Sequence, residues 1–265
     1  MPDPTFAPAD LERAALDAAA AAAGLIRSRL DRNAVIALKS SPTDVVTQTD
    51  LDSEALIRRQ LSDVTPGAGF IGEEGGSTYT SSDLQWIIDP LDGTVNFAFG
   101  IPVFAVSIGA AIAGELVAGV VIDVVTGETF SAALGCGARC NGRSITVSSC
   151  DAIERAMVLT GFSYTAELRR AQALLLNELL PSVRDIRCIG SAALELCWVA
   201  AGRVDGYYER DTKLWDYAAG ALIAAEAGAE IELPCPENEG LVVAAGPGVF
   251  APLRALVDHH NAAAA

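Results

Sequence analysis

Apolar residues at Leu11, Ala15, Ala18, Ala22 and Leu25/Ile26 keep the three-to-four spacing of one buried helix face, which predicts a helix over 9–30. A second helical pattern starts near Asp50 and runs through Leu56, Ile57 and Leu61 to a turn at Pro66-Gly67; the stretch between, KSSPTDVVTQT, reads as extended or looped. A short apolar segment at 69–71 stops at Gly72-Glu73-Glu74-Gly75-Gly76, and Trp86-Ile87-Ile88 reads as a strand. From 103 to 147 the pattern becomes repeated β-type runs broken by glycine, FAVSIGAAI, ELVAGVVIDV, ETFSAAL and SITVS, as in an antiparallel meander. Beyond Cys150 the rhythm alternates. MVLTGF, DIRCI and DGYYE read as strands, each followed by a helix, near 165–180, 191–201 and 216–227; strands IELP and LVVAAG and a last helix complete the pattern. The expected class is α/β, with an α+β half over 1–150 and an α/β half over 151–265, in one compact unit.

Composition narrows the function. The chain has 265 residues and a net charge of −16, a balance that disfavours direct nucleic-acid or membrane binding. An acidic protein still binds a phosphorylated substrate if cations supply the positive charge. Residues 97–114 are uncharged over membrane-span length, but Gly100, Pro102, Gly109 and Gly114 make them buried strand with turns rather than a membrane helix. The apolar run 18–23 is short and flanked by Asp10, Glu12 and Asp17, so no signal peptide is expected. The six cysteines form no C-x-x-C pair and the two histidines, His259 and His260, stand together near the C-terminus, so a zinc site is not expected and the thiols read as free in a reducing cytoplasm.

The candidate chemistry lies in acids at element ends. In WIIDPLDGTVNF (86–97), Asp89 and Asp92 flank Pro90 just past the strand; a turn there lets both carboxylates converge, Gly93 admits a close ligand, and Thr94 opens a helix whose free amides suit a phosphate. Phosphate against two carboxylates is repulsive unless divalent cations lie between, and oxygen ligands of this kind suit Mg²⁺. A plain capped turn is the alternative for this motif alone. Glu73 and Glu74 follow another short strand, Asp216 heads an Ala-rich helix and Asp50 heads the second helix; singly each is a solvated acid or a cap.

Together these segments resemble the inositol monophosphatase family of Mg²⁺-dependent, lithium-sensitive phosphatases. WIIDPLDGTVNF is similar to its first signature and WDYAAGALIAAEAG to its second, while FIGEEG and KSSPTDVVTQTD match two further site segments, in order, over roughly 10–255. The likeness is greatest to bacterial, particularly actinobacterial, inositol-1-monophosphatases. The resemblance implies a layered α-β-α-β-α sandwich, a homodimer and a site between the two halves. It implies that Glu73, Asp89 and the carbonyl of Leu91 hold one Mg²⁺, that Asp89, Asp92 and Asp216 hold a second, and that a weaker third leans on Glu73. Asp50 and Thr94 match the pair that orients and deprotonates the attacking water. Gly93 and Thr94 supply phosphate-binding amides, Asp92, Ala192 and Glu209 touch the inositol ring, and Lys39 lies near the metals. Two departures are visible: Leu91 stands for the usual isoleucine, and Asp211, between Arg210 and Lys213, stands where glycine is common.

With no histidine or cysteine placed for catalysis, cations must do most of the charge stabilisation of phosphate-monoester hydrolysis. Family members acting on fructose-1,6-bisphosphate, 3′-phosphoadenosine 5′-phosphate or histidinol phosphate are rival assignments, as is a regulatory binding protein with residual phosphatase activity. Glu209 leans towards a polyol, because a carboxylate accepts hydrogen bonds from vicinal hydroxyls.

Overall fold

The Ala-rich periodic stretch forms α1 (Pro8–Arg27), with Leu11, Ala15, Ala18, Ala22 and Ile26 buried as the spacing requires. The computed structural model describes residues 6–30, 35–38, 45–238 and 240–264. A two-stranded hairpin, β1 (Val35–Leu38) with β2 (Val45–Thr47), leads into α2 (Gln48–Val64). Then come β3 (Gly69–Gly72), β4 (Gly76–Thr78), β5 (Leu84–Asp92) and the short α3 (Thr94–Phe99). The meander is β6 (Ala105–Ile112), β7 (Glu115–Asp123), β8 (Thr129–Ala133), β9 (Ala138–Cys140) and β10 (Arg143–Ser144). The alternating half is β11 (Met157–Thr160), α4 (Ala166–Leu179), β12 (Asp185–Arg187), α5 (Ala192–Ala200), β13 (Gly206–Arg210), α6 (Leu214–Glu226), β14 (Glu230–Glu232), β15 (Leu241–Ala245) and α7 (Pro247–Ala264).

Strands β3 to β10 form one sheet in the order β10-β9-β8-β7-β6-β5-β3-β4; β11 to β15 form a second in the order β12-β11-β13-β15-β14. Helices α1 and α2 cover one face of the first sheet, burying Trp86, Ile88 and Ile108 beneath Leu11, Ile26 and Ile57. Helices α5 and α6 lie between the sheets: Ala193, Ala219 and Ile223 meet Val121 and Phe130, while Leu196 and Val199 meet Leu159, Tyr207 and Val242. Helices α4 and α7 close the far face, where Leu179, Val249 and Leu253 pack on Val158, Tyr208 and Val243. Adjacent Tyr207 and Tyr208 thus point to opposite faces of one strand, the period of two expected of β structure. The result is a five-layer α-β-α-β-α sandwich. Both faces of its sheets are covered, which is why its strands read as continuous apolar runs rather than alternating ones.

Small residues set the spacing of the middle layer. A Cβ added to Gly119 would stand 2.7 Å from the carbonyl oxygen of Ala219, so the backbone of α6 rests directly on β7. Three expectations need correction. The motif Asp89-Pro90-Leu91-Asp92 is not a turn beyond the strand, because β5 continues to Asp92. SITVS is not a strand: after Ser144 the chain leaves the sheet, and the Val147 amide bonds to the carbonyl of Ala227 at 3.1 Å. Helices α2 and α6 begin at Gln48 and Leu214, so Asp50 and Asp216 are each the third residue of the first turn rather than the first residue of the helix. The segment 97–114 holds the expected buried strand, β6, and a turn after it, but its first three residues are the end of α3 rather than strand. Among the described residues no helix is long and apolar enough to cross a membrane, and the six cysteines are free.

Candidate active site

A β-bulge explains why two acids flank a proline inside a buried strand. β5 pairs antiparallel with β6, Asp89 opposite Ser107 and Asp92 opposite Ala105, so three steps on β5 match two on β6. Residues three apart in a regular strand face opposite sides; the extra residue restores them to one side, because Ser107 and Ala105 share a face. That face is turned to α6, where Ile87 packs on Ala218 and Ser107 approaches the Trp215 carbonyl at 3.5 Å. Pro90 lacks the N–H a regular ladder needs and is tolerated at a bulge; its carbonyl accepts the Ser53 hydroxyl at 3.0 Å. Asp89 and Asp92 are both buried, and Asp89 Oδ1 accepts the Leu91 amide at 3.0 Å.

The other acids come from neighbouring element ends. Glu73 follows β3, which runs parallel beside β5, and its amide donates to Ile88 O at 3.2 Å. The next two amides, Glu74 and Gly75, donate to the carboxylate of Glu54 at 2.8 and 3.0 Å, so a buried acid on α2 fixes this turn. Asp216 is the third residue of α6; its Oδ2 accepts the Lys213 amide at 2.6 Å, the return half of a capping box, which leaves Oδ1 for other partners. Asp50 plays the same part in α2, where its Oδ2 accepts the amide of the N-cap residue Thr47 at 2.9 Å and also that residue's hydroxyl. Its Oδ1 faces the Thr94 hydroxyl at 3.0 Å. Thr94 Oγ is also 3.0 Å from the carbonyl of buried Leu91, and its single proton serves one of the two at a time.

The electrostatics are those of crowded, buried anions. Burial, then the charges of Glu73, Asp92 and Asp216, push the Asp89 carboxyl well above its ordinary range. Burial raises Asp92 to about 6, against hydrogen bonds from Ser191 and from the amides of Ala193, Ala192 and Gly93. Asp216 is raised by burial and by Asp92, Glu73 and Glu209, against the Lys213 amide. Among the described residues no three acids, histidines or cysteines lie close enough together to hold a metal ion as they stand. The acids are near enough to repel yet spaced apart, and each of Asp89, Asp92 and Asp216 has one oxygen fixed by the backbone. An all-oxygen donor set of this kind fits a hard cation that keeps several waters, not zinc or copper.

On the far side of Asp92 lies a second part of the site. Ser191 Oγ and the Ala193 amide donate to Asp92 Oδ2 at 2.6 and 2.8 Å, which brings Ala192, first residue of α5, beside it. Gly93 has φ 91°, and a Cβ there would meet Val103 O at 2.9 Å and Gly190 O at 3.2 Å, so only glycine fits the step into α3. Glu209 on β13 is half-buried; burial pushes it up to about 8, with Asp92 and Asp211 adding to the rise and a hydrogen bond from Tyr207 opposing it. The Tyr207 hydroxyl lies 3.0 Å from Glu209 Oε2. Neither nearby cation takes that role: Arg210 donates to Asn238 O at 2.7 Å and Lys213 to Asp211 at 3.0 Å. Asp211 has φ 70°, which accounts for the usual glycine; Ser163 Oγ donates to its carboxylate at 2.7 Å and helps hold it there. Lys39 lies outside the described residues.

Sequence patterns passed over several contributors: Glu54, Ser191, Glu195, Tyr207 and Gly161. For two a signal existed. Glu54 shares the buried face of α2 with Ile57 and Leu61, and Glu195 is the only charged residue in AALELCWVA. An acid on an apolar face is the pattern that finds them.

The wider likeness agrees with this arrangement. The family model described as "Inositol monophosphatase family" matches residues 8–264. The inositol-1-monophosphatase SuhB of Mycobacterium tuberculosis is 46% identical, with 98% of each chain covered. The solved structure of Mycobacterium tuberculosis SuhB superposes with a TM-score of 0.85 at 44% identity, over 96% of this chain and 98% of that one. The Nus factor SuhB of Pasteurella multocida is 43% identical over 76% of this chain and 74% of its own. Sequence similarity from end to end, the same fold and acids gathered across a bulged strand agree on one assignment: the chain belongs to the inositol monophosphatase family.

Proposed function

We propose that the protein is a Mg²⁺-dependent phosphomonoesterase that hydrolyses inositol monophosphate to inositol and phosphate. The observation that carries this reading is the set of mutually repelling carboxylates of Asp89, Asp92, Asp216 and Glu73, beside the bonded pair Asp50–Thr94. Uncompensated, such a set is unfavourable; cations make it useful. Glu73, Asp89 and the Leu91 carbonyl would hold one Mg²⁺, Asp89, Asp92 and Asp216 a second, and a third would lean on Glu73. When bound, the cations would acidify water and offset charge on the phosphoryl oxygens.

The chain's own residues do the rest. Thr94 accepts a proton from the attacking water as it passes its own to Asp50, whose Oδ1 already receives that hydroxyl. The amides of Gly93 and Thr94, at the opening of α3, hold the phosphate. Glu209, steadied by Tyr207, accepts hydrogen bonds from ring hydroxyls, with Asp92 and Ala192 on the adjacent wall. A homodimer, lithium inhibition, a cytoplasmic setting and two halves meeting near residue 150 belong to the same proposal. A phosphate-release panel tests it, with inositol monophosphate, fructose-1,6-bisphosphate, 3′-phosphoadenosine 5′-phosphate and histidinol phosphate, each with Mg²⁺ and with EDTA. Fastest Mg²⁺-dependent release from inositol monophosphate is expected. Turnover undiminished by chelator would refute the metal chemistry, and preference for another ester the substrate.

A further inference from the structure

Glu195 is the one charged residue of α5 and is 1% exposed. A carboxyl in an apolar layer is unfavourable unless it is used. Its Oε1 accepts the Ile189 amide at 2.9 Å; its Oε2 is shielded from solvent and has no hydrogen-bond partner among the described residues. The Ile189 amide opens the turn that enters α5. Asn96, from the signature segment, donates to the carbonyls of Ile189 and Gly190 at 2.8 and 3.4 Å. Gly190 has φ 79°, and a Cβ there would stand 2.9 Å from Asn96 Nδ2, so the turn has little slack. From that turn Ser191 Oγ and the Ala193 amide take hold of Asp92 Oδ2, at 2.6 and 2.8 Å. Committing Oδ2 to α5 fixes the direction in which Asp92 Oδ1 points.

We infer that Glu195 is a positioning residue, which ties the 189–191 turn to α5 and thereby aims Asp92 for cation binding. The inference rests on the metal-dependent reading above. It accounts for an acid kept in an otherwise apolar helix, at a site none of the proposed ligands occupies. Burial, and then the charge of Glu209, raise its carboxyl above the ordinary range. Glutamine keeps the acceptor for the Ile189 amide; alanine leaves that amide without one; aspartate is a methylene too short to reach it.

The test compares Glu195→Gln, Glu195→Ala and Glu195→Asp in the full chain. Val257→Ala, a buried residue on α7, serves as a control for general loss of stability. Mg²⁺ affinity is measured by calorimetry, and Mg²⁺ dependence of turnover on inositol monophosphate in parallel. Loss of a group that orients a metal ligand weakens metal binding about 10- to 100-fold, the effect expected for Ala and Asp, with Gln within about threefold of the native protein. Aspartate keeps a polar group in the layer and supplies the comparison if the alanine variant fails to fold. Native Mg²⁺ affinity in a folded Ala or Asp variant, a Gln variant as weak as either, or an equal loss in Val257→Ala would overturn the inference. A native protein that binds Mg²⁺ but releases no phosphate would refute the phosphatase reading alone, since calorimetry still decides the role of Glu195.

Discussion

Gly161→Ala tests the substrate handle without altering it. Gly161 follows β11, and a Cβ added there would lie 2.2 Å from each carboxylate oxygen of Glu209. Ordinary contact begins near 3.5 Å, so the carboxylate must retreat by more than about 1 Å. The obstacle is the end of a flexible side chain, not backbone, so the fold should absorb the change. The hydrogen bond from Tyr207 is lost or bent, a cost of about 1 kcal/mol, partly offset because alanine restricts the unfolded chain. Function should suffer more. Displacing a group by about 1 Å can cost 10²-fold, and losing one charge-assisted hydrogen bond to a ring hydroxyl costs about 1.5–3 kcal/mol. The expected outcome is a roughly 10- to 150-fold fall in kcat/KM on inositol monophosphate, with less than about threefold on an aryl phosphate that lacks ring hydroxyls. Glu209→Gln should show the same selectivity. Native kcat/KM on inositol monophosphate in a folded Gly161→Ala protein, or equal losses on both esters, would refute the assignment of Glu209 to the leaving group.

Asp89→Asn keeps the acceptor for the Leu91 amide but removes a crowded buried charge. Activity should fall by more than about 100-fold, while the metal-free variant should melt at a higher temperature than the native protein in EDTA. A mere turn cap would show neither effect. In EDTA the native protein should lose stability as pH rises from about 4 to 8. Asp92, moved from 3.8 to about 6, and Glu209, moved from 4.5 to about 8, bind protons more tightly folded than unfolded. Their contribution is complete below the unfolded values and lost as pH passes the folded ones, roughly 3 kcal/mol for Asp92. Thermal melts across that range check the sign; flat stability would refute it, and Mg²⁺ should reverse most of the loss. Gly119→Ala places a methyl against the backbone of α6 and should destabilise by about 1–3 kcal/mol in urea melts, with catalysis per folded molecule unchanged.

The sequence by itself determined most of the elements and singled out the acids. The spacing of Leu11, Ala15, Ala18 and Ala22 implies α1 because a 3.6-residue period needs no tertiary partner to be visible. The acids stood out because Asp89, Asp92, Glu73 and Asp216 each interrupt an apolar pattern at an element end. What the tertiary structure decided is how they face one another. Pro90 in a short apolar run reads locally as a turn, yet the strand goes on, because its pairing with β6 absorbs one residue as a bulge. That pairing puts Asp89 and Asp92 on one face, and it depends on a partner strand more than ten residues away. Glu54, Ser191 and Glu195 act by bonding to backbone amides or to an acid from other segments, and local propensity records no such contact. Gly161 is likewise unremarkable in its own segment, just past β11; only the approach of Glu209 from β13 makes the absence of its side chain matter.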